Sequence, residues 1–464
     1  MPLSQRRNPF NRALRWLLEM DRSVPSRTEA EIAAEVERNY RWNFAFNLLD
    51  GAFFWFGASF VSSSTIIPLF ISKLTPSPFP VGLAAVIAQA GWYLPQLFTA
   101  ASVERLARMK AVVVNAGLFL ERLPLFVLVL SAMIVGRSPT WGLVLFLAAY
   151  AWHSLGAGVV ATSWQDLIAR CFPVDRRGRF FGTTMFIGAG AAALGAGLST
   201  QILRIFPFPT NFVYAFVIAA TCIGFGWIFL AMTREPIQRA DIPHQSQRQF
   251  WAGLLGIVGR DHNFRRFLTA RLLLALGGMG SGFVTVAAVR RWHVPDSTVG
   301  LFTASLLVGQ TIGNLSFGLL ADRFGHKLSL QLGALAAFLA FALAWVAPSP
   351  GWQYLVFALL GINSSALIVS GILIVMEFSP PDRRPTYVGL ANTGTGLVSI
   401  VAPLIGAWLA GIGYGWLFAV TAAINLAALA AMYWGVREPR RAGTAPSPAV
   451  GRRDGGLEDP PSPV

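Results

Sequence analysis

The sequence predicts an all-α polytopic membrane protein, with twelve transmembrane helices in two pseudo-symmetric six-helix bundles. Three observations carry this. First, 54% of the 464 residues are hydrophobic and only 13% are charged, against about 25% charge in a soluble domain. Second, twelve apolar runs each approach the ~20 residues that cross a ~30 Å hydrocarbon core. Third, the basic residues alternate between faces: 30 of the 37 Lys and Arg fall in segments on one side of the expected topology, and five (Lys73, Arg137, Arg204, Arg290, Arg291) on the other. That bias follows the positive-inside rule and puts both chain ends in the cytoplasm. One missed or invented span would scramble it.

Taken in order, residues 1–41 are polar and of mixed charge, an N-terminal cytoplasmic segment without the short apolar core of a signal peptide. Ser26-Arg-Thr-Glu29 reads as a capping box opening a short helix over 27–41. The spans follow at 42–71, 80–101, 110–135, 140–169, 180–204 and 210–232, then at 264–289, 297–320, 328–347, 352–377, 386–410 and 414–435. Continuous apolar runs make them helices, since barrel strands alternate over ~10 residues. The first bundle covers 42–232 and the second 264–436. Between them lies a cytoplasmic loop, 233–263, in which residues 250–258 could lie flat at the interface. The Pro-, Gly-, Arg- and Ser-rich tail, 437–464, is expected to be disordered.

Several function classes are excluded. The net charge of +15 is dispersed among loops, so no nucleic-acid patch is expected. Cys171 and Cys222 have no loop partners, and the five His have no i, i+4 pairing, so neither a disulfide framework nor a metal site is expected. No nucleotide motif or cofactor fingerprint stands out, because Gly394-Thr-Gly396 follows no strand. An integral-membrane enzyme would cluster His or carboxylates at one face, and none is visible.

The halves repeat. Pro173-Val-Asp-Arg-Arg-Gly-Arg-Phe-Phe-Gly182 before span five and Pro380-Pro-Asp-Arg-Arg-Pro-Thr-Tyr-Val-Gly389 before span eleven share Pro-x-Asp-Arg-Arg-x-x-aromatic-x-Gly. Glu104-Arg105 after span two likewise corresponds to Asp322-Arg323 after span eight. Gly318-Leu-Leu-Ala-Asp322-Arg323-Phe-Gly325-His-Lys327 resembles the loop motif of the major facilitator superfamily, and Ala101–Lys110 resembles a degenerate first copy. The resemblance spans roughly 42–436. It implies a secondary transporter that moves a small solute by alternating access, with a site between spans one, four, seven and ten. It also implies that Asp322 latches onto span eleven and helps to hold the outward-facing state. Gly325 allows the tight turn.

Charges inside spans mark candidate pathways, because each costs at least ~2.5–3.5 kcal/mol on insertion scales. Glu121 and Arg122 lie near mid-bilayer in span three. Neighbouring helical residues point about 100° apart, so each is expected to meet another helix rather than its neighbour. Asn43, Asn47 and Asp50 form one polar face of span one, and Asp50 could pair with Arg122 or Arg271. Gln89, Trp92, His153, Gln310, Asn314 and Asn363 are further pathway candidates, although helix–helix hydrogen bonding explains such residues equally well. Gly318, Lys327 and the loop charges Arg177 and Arg383 join Glu104, Arg105, Asp322, Arg323 and Gly325 as candidate gate residues. Asp166 and Glu377 sit near inner span ends and are expected to pair with the arginines of the adjoining loops. Glycine is dense in spans five, seven and eleven, where close helix contact is expected.

The expectation is thus a monomeric permease of the cytoplasmic membrane, with protons one candidate coupling ion. An efflux antiporter of drugs or metabolites, or a non-transporting sensor on the same fold, are the alternatives.

Overall fold

The structure, a computed structural model, describes residues 12, 15–103, 106–173, 176–237, 261–371, 373–378 and 384–439. Among these there is no strand. Eleven helical segments are long and apolar enough to cross a membrane: α1 (Glu29–Leu74), α3 (Ala111–Val135), α4 (Pro139–Cys171), α5 (Arg177–Ile205), α6 (Thr210–Ala231), α7 (His262–Trp292), α8 (Asp296–Phe324), α9 (His326–Val346), α10 (Trp352–Phe378), α11 (Arg384–Ile412) and α12 (Tyr414–Gly435). A twelfth, α2 (Phe79–Val103), is 25 residues long and packs between α4 and α11. Helices α1–α6 form one bundle and α7–α12 the other, meeting along α2–α11 and α5–α8.

Large side chains on the outer surface are bare: Leu194 is 74% exposed, Phe186 73% and Leu315 71%. In water such a surface would aggregate; in a bilayer it is the lipid contact. Inside the first bundle, Phe70, Phe146, Phe212 and Phe216 interlock with centroids 4.9–6.1 Å apart.

Local chemistry sets the helix ends. Thr28, not Ser26, opens α1: its hydroxyl accepts from the Glu31 amide at 3.3 Å, and Glu31 accepts from the Thr28 amide at 2.9 Å. The lead-in helix expected over 27–41 is therefore continuous with the span, and Glu29–Ala58 runs unbroken. Asp261 caps α7 through the Phe264 amide at 2.9 Å. Gly325, at φ 91°, turns α8 into α9, the left-handed geometry that favours glycine.

The first helix of each half is discontinuous, which the apolar pattern alone does not reveal. Helix α1 breaks at residues 59–65, and α7 breaks at 277–280, where three of four residues are glycine. The short pieces beyond these breaks, Ile66–Leu74 and Ser281–Trp292, pack on each other. They form the face opposite the chain ends, here the distal face; the other is the terminal face.

The expected loop segments 238–260 and 440–464, with the 250–258 stretch, lie outside the described residues, as do Glu104, Arg105, Arg383 and the side chain of Asp322. The Asp322 latch therefore lies outside the described side chains.

Candidate functional site

Glycines set how closely the helices approach. A Cβ at Gly158 in α4 would stand 2.1 Å from the Gly91 carbonyl of α2. In the second half, a Cβ at Gly361 in α10 would stand 2.0 Å from the Leu306 carbonyl of α8, and one at Gly309 in α8 would stand 2.0 Å from the Ala358 carbonyl. These equivalent crossings fix the helices that carry Gln89, Trp92 and His153 in one half and Gln310 and Asn363 in the other. The dense glycines of α5 divide: a Cβ at Gly188 would stand 2.5 Å from Trp55 and one at Gly195 2.2 Å from Ser59, both in α1, whereas Gly190 and Gly197 have nothing within 4 Å.

Three cavities adjoin. The first, about 450 Å³, lies between the halves and is lined by Gln89, Tyr93 and Tyr150 from one and Arg271, Asn363 and Thr395 from the other. The second, about 370 Å³, shares Ser63, Ser64, Ala88 and Tyr150 with the first and adds Trp92, Glu121, His153 and Gln310. The third, about 410 Å³ and wholly within the first half, shares Trp92 and Glu121 with the second and reaches Asn47, Asp50 and Arg122. Each falls in the ~300–1,000 Å³ range of small-molecule sites.

Polar contacts close the distal face. The Thr65 and Thr303 hydroxyls are 2.7 Å apart, and the Thr285 hydroxyl donates to the Ser64 carbonyl at 3.0 Å. Farther out, Lys73 pairs with Asp296 at 2.6 Å, and Arg290 donates to the Pro76 carbonyl at 2.7 Å. Each joins one half to the other.

Within the first half the charges gather. Arg122 and Glu121 are buried and pair directly with each other, contrary to the expectation that neighbours diverge. The segment Leu118–Arg122 is a π-helix, whose wider turn departs from the ideal α geometry behind that expectation. Asp50 is buried within electrostatic reach of both and forms no ion pair among the described residues. His153 Nδ1 lies 2.7 Å from the Glu121 carbonyl oxygen. Asn47 also faces this cavity, but its amide donates to the Asn43 carbonyl at 2.8 Å and to Thr233 at 3.0 Å, tying α1 to the end of α6.

In the second half Arg271 stands differently. Its Nε donates to Thr395 at 3.0 Å and its Nη2 to the Asn392 side-chain oxygen at 3.4 Å, and its Nη1 donates to the Gly371 carbonyl. All three acceptors are neutral. No carboxylate pairs with it among the described residues, and it does not meet Asp50. Asn314 lines none of these cavities; it accepts from Ser365 at 2.7 Å and fastens α8 to α10.

The gate candidates disperse. Asp166 pairs with Arg170 in its own helix at 2.8 Å. Arg177 donates to the Phe172 carbonyl at 3.1 Å and to the Ala169 carbonyl, closing the end of α4. Glu377 lies 3.6 Å from His326. Arg323 lies over the ring of its neighbour Phe324, and Gly318 has nothing within 4 Å of a Cβ.

A duplicated latch escaped the sequence reading. Arg234-Glu235-Pro236 follows α6, and Arg437-Glu438-Pro439 follows α12. Glu235 accepts from the Met109 and Lys110 amides at 2.8 and 2.9 Å, at the start of α3. Glu438 accepts from the Lys327 amide at 3.2 Å, at the start of α9, while the amide of that residue and the positive helix end favour the carboxylate. Asn43 clasps the Arg234 backbone through N–H and C=O at 2.8 and 2.9 Å, and Asn263 clasps Arg437 at 2.8 and 3.0 Å. The repeated Arg-Glu-Pro, 203 residues apart, is the signal that could have found it.

This arrangement defines the class: a multi-pass membrane protein of two pseudo-symmetric six-helix bundles with cavities at their junction. The Major Facilitator Superfamily profile matches residues 272–459. An uncharacterized protein of Mycobacterium tuberculosis is 22% identical over 312 residues, covering 64% of this chain and 59% of that protein. The chain thus spans about three fifths of the length of that curated relative. A D-xylose-proton symporter shares the fold at a TM-score of 0.60 and 15% identity, over 86% of this chain and 98% of the other. The nucleoside transporter NupG does so at 0.59 and 13%, over 84% and 98%. The matched segment covers about two fifths of the chain, and within it the sequence is similar to the major facilitator superfamily.

Proposed function

We propose that this protein is a secondary transporter that carries a small solute across the cytoplasmic membrane by alternating access, coupled to protons. The observation that carries the reading is the junction cavity, polar within and closed on the distal face by four contacts between halves. Rocking the halves would break those contacts and expose the same cavity to the other side. The excess of basic residues on the terminal face supports a cytoplasmic orientation for both ends, and the conformation is then inward-facing. Asp50 and Glu121 share the field of one arginine, an arrangement in which one carboxylate can take up a proton while the other stays paired.

The test uses proteoliposomes loaded with a pH-sensitive dye and exposed to a panel of solutes under an imposed pH gradient. A solute that acidifies the lumen with wild type is expected, with acidification lost in Asp50→Asn or in Glu121→Gln. Solute uptake with no accompanying proton movement, or proton-driven uptake unchanged in both variants, refutes the coupling. Reporter fusions that place either chain end outside the cell refute the orientation.

A further inference from the structure

We propose that the junction cavity recognises the carboxylate of a small organic monoanion, with Arg271 as the binding cation. This rests on the transport reading and names the substrate class of the same site.

Arg271 sits nine residues into α7, about 14 Å along the helix from His262 at 1.5 Å per residue. A cation held so far into a span ordinarily has an acidic partner. Here three of its five N–H donors go to neutral oxygens, and the acceptors come from two different helices, α10 and α11. That fixes the plane of the guanidinium. The remaining two donors have no protein acceptor among those described. Among the described residues, the titratable group within its electrostatic reach is Tyr93, which lines the same cavity. Of the other charges of the membrane region, Glu121 and Arg122 pair with each other, and Asp50 lines the third cavity, which Arg271 does not reach.

A planar, pre-oriented fork with free donors matches two carboxylate oxygens. One uncompensated positive charge is balanced by one negative charge, which selects a monoanion over a dianion or a neutral solute. The rest of the wall mixes aromatic and apolar side chains (Tyr93, Tyr150, Met279, Phe283, Leu274) with polar ones such as Gln89, Asn363, Ser281 and Ser399. Such a wall suits an organic body attached to the carboxylate better than a bare inorganic ion.

The experiment measures ligand-induced thermal stabilisation of the purified full chain with matched probes: benzoate against benzamide, lactate against lactamide, and 3-phenylpropionate against its amide. At least one carboxylate is expected to stabilise wild type while its amide does not. Arg271→Gln should weaken that binding at least roughly tenfold, as expected when a charged hydrogen-bond partner is removed, and should abolish the preference of acid over amide. Arg271→Lys keeps the charge without the fork and should retain part of the preference. The ligand-free midpoint of each variant reports whether it folds, and Arg271→Lys keeps the question open to refutation if Arg271→Gln does not. A panel in which no carboxylate binds wild type, equal binding of acid and amide, or an acid preference that survives in Arg271→Gln each overturns the assignment. Binding is read without flux, so carboxylate binding with no transport sinks the transport reading alone. Transport of a neutral solute with no carboxylate binding sinks this inference alone.

Discussion

The α8–α10 crossing gives the sharpest test of how glycine shapes the site. A Cβ at Gly361 would lie 2.0 Å from the Leu306 carbonyl oxygen and 2.7 Å from the Gln310 amide nitrogen. Ordinary contact begins near 3.5 Å, so Gly361→Ala must part the two backbones by roughly 1.5 Å or distort one of them. Overpacking of this kind costs about 1–3 kcal/mol, occasionally more, and Ala returns up to ~1 kcal/mol through its better helix propensity. The net expectation is destabilisation of about 1–2 kcal/mol, read as a fall of a few degrees in the thermal midpoint followed by tryptophan fluorescence. Gly309→Ala should behave alike, since its Cβ would meet the Ala358 carbonyl across the same crossing. The double variant should cost less than the sum, because helices already parted by one methyl leave room for the other. Gly190→Ala and Gly197→Ala, with nothing within 4 Å, should leave the midpoint unchanged or raise it. Wild-type midpoints in both crossing variants, or strict additivity in the double, would refute the reasoning.

Three further outcomes follow from the latch and the distal face. Glu235→Ala strips two backbone amides of their acceptor and should cost about 2–4 kcal/mol; Glu438→Ala removes the acceptor of the Lys327 amide and should also lower the thermal midpoint. Burial raises the Glu235 carboxyl above its ordinary value of 4.5, against the lowering effect of the Lys110 and Met109 amides and Arg170. The folded chain therefore holds this proton more tightly than the unfolded chain, and the linked stability is fully present below 4.5 and lost as pH rises through the raised folded value. The midpoint of wild type relative to Glu235→Gln should fall with rising pH across that window, and a difference flat with pH would contradict it. Lys73→Glu should loosen the distal closure and speed labelling of a cysteine placed at Ser63 by an impermeant thiol reagent on that face, with the double variant Lys73→Glu, Asp296→Lys slowing it again. The half-exposed pair is worth no more than ~1 kcal/mol, so the change should stay within about fivefold.

Much of the fold is legible because a bilayer imposes coarse rules. Long apolar runs must be helices, and loop arginines must collect on one side, so the spans and the two halves can be read from residue order. Asp50, Glu121, Arg122 and Arg271 stand out for the same reason: a charge in an apolar run is costly, and each of these lines a cavity in the structure. What was hidden depends on departures from regular geometry or on remote partners. Glu121 and Arg122 pair because the helix there is of π type, a feature without a periodic signature. The breaks of α1 and α7 depend on how the two short distal pieces pack. Counting glycines pointed to spans five, seven and eleven, where Gly195, Gly277 and Gly406 do meet neighbouring helices, but not to the crossings of α2 with α4 and of α8 with α10, where Gly158, Gly309 and Gly361 face a carbonyl. The Arg-Glu-Pro latch was visible only as a tripeptide that occurs once after each half.

The distribution of charge between the halves bears on coupling. With both carboxylates ionised, Asp50, Glu121 and Arg122 sum to one negative charge in the first half, and Arg271 contributes one positive charge in the second; the cavities that hold them adjoin. The empty site is therefore neutral as a whole. Binding a monoanion at Arg271 alone leaves one net negative charge in the membrane, and a proton at the carboxylates alone leaves one net positive charge. Each unbalanced charge costs on the order of 2.5–3.5 kcal/mol at this depth, a penalty that slows reorientation by roughly 60- to 300-fold at 1.4 kcal/mol per decade. Only the empty carrier and the carrier loaded with both ions escape it. The expected transport is thus electroneutral, with one proton per monoanion, and its rate in proteoliposomes should not respond to a potassium diffusion potential. A rate that rises with interior-negative potential would mean that a second proton moves with the substrate. It would place the additional acceptor outside the Asp50–Glu121–Arg122 group.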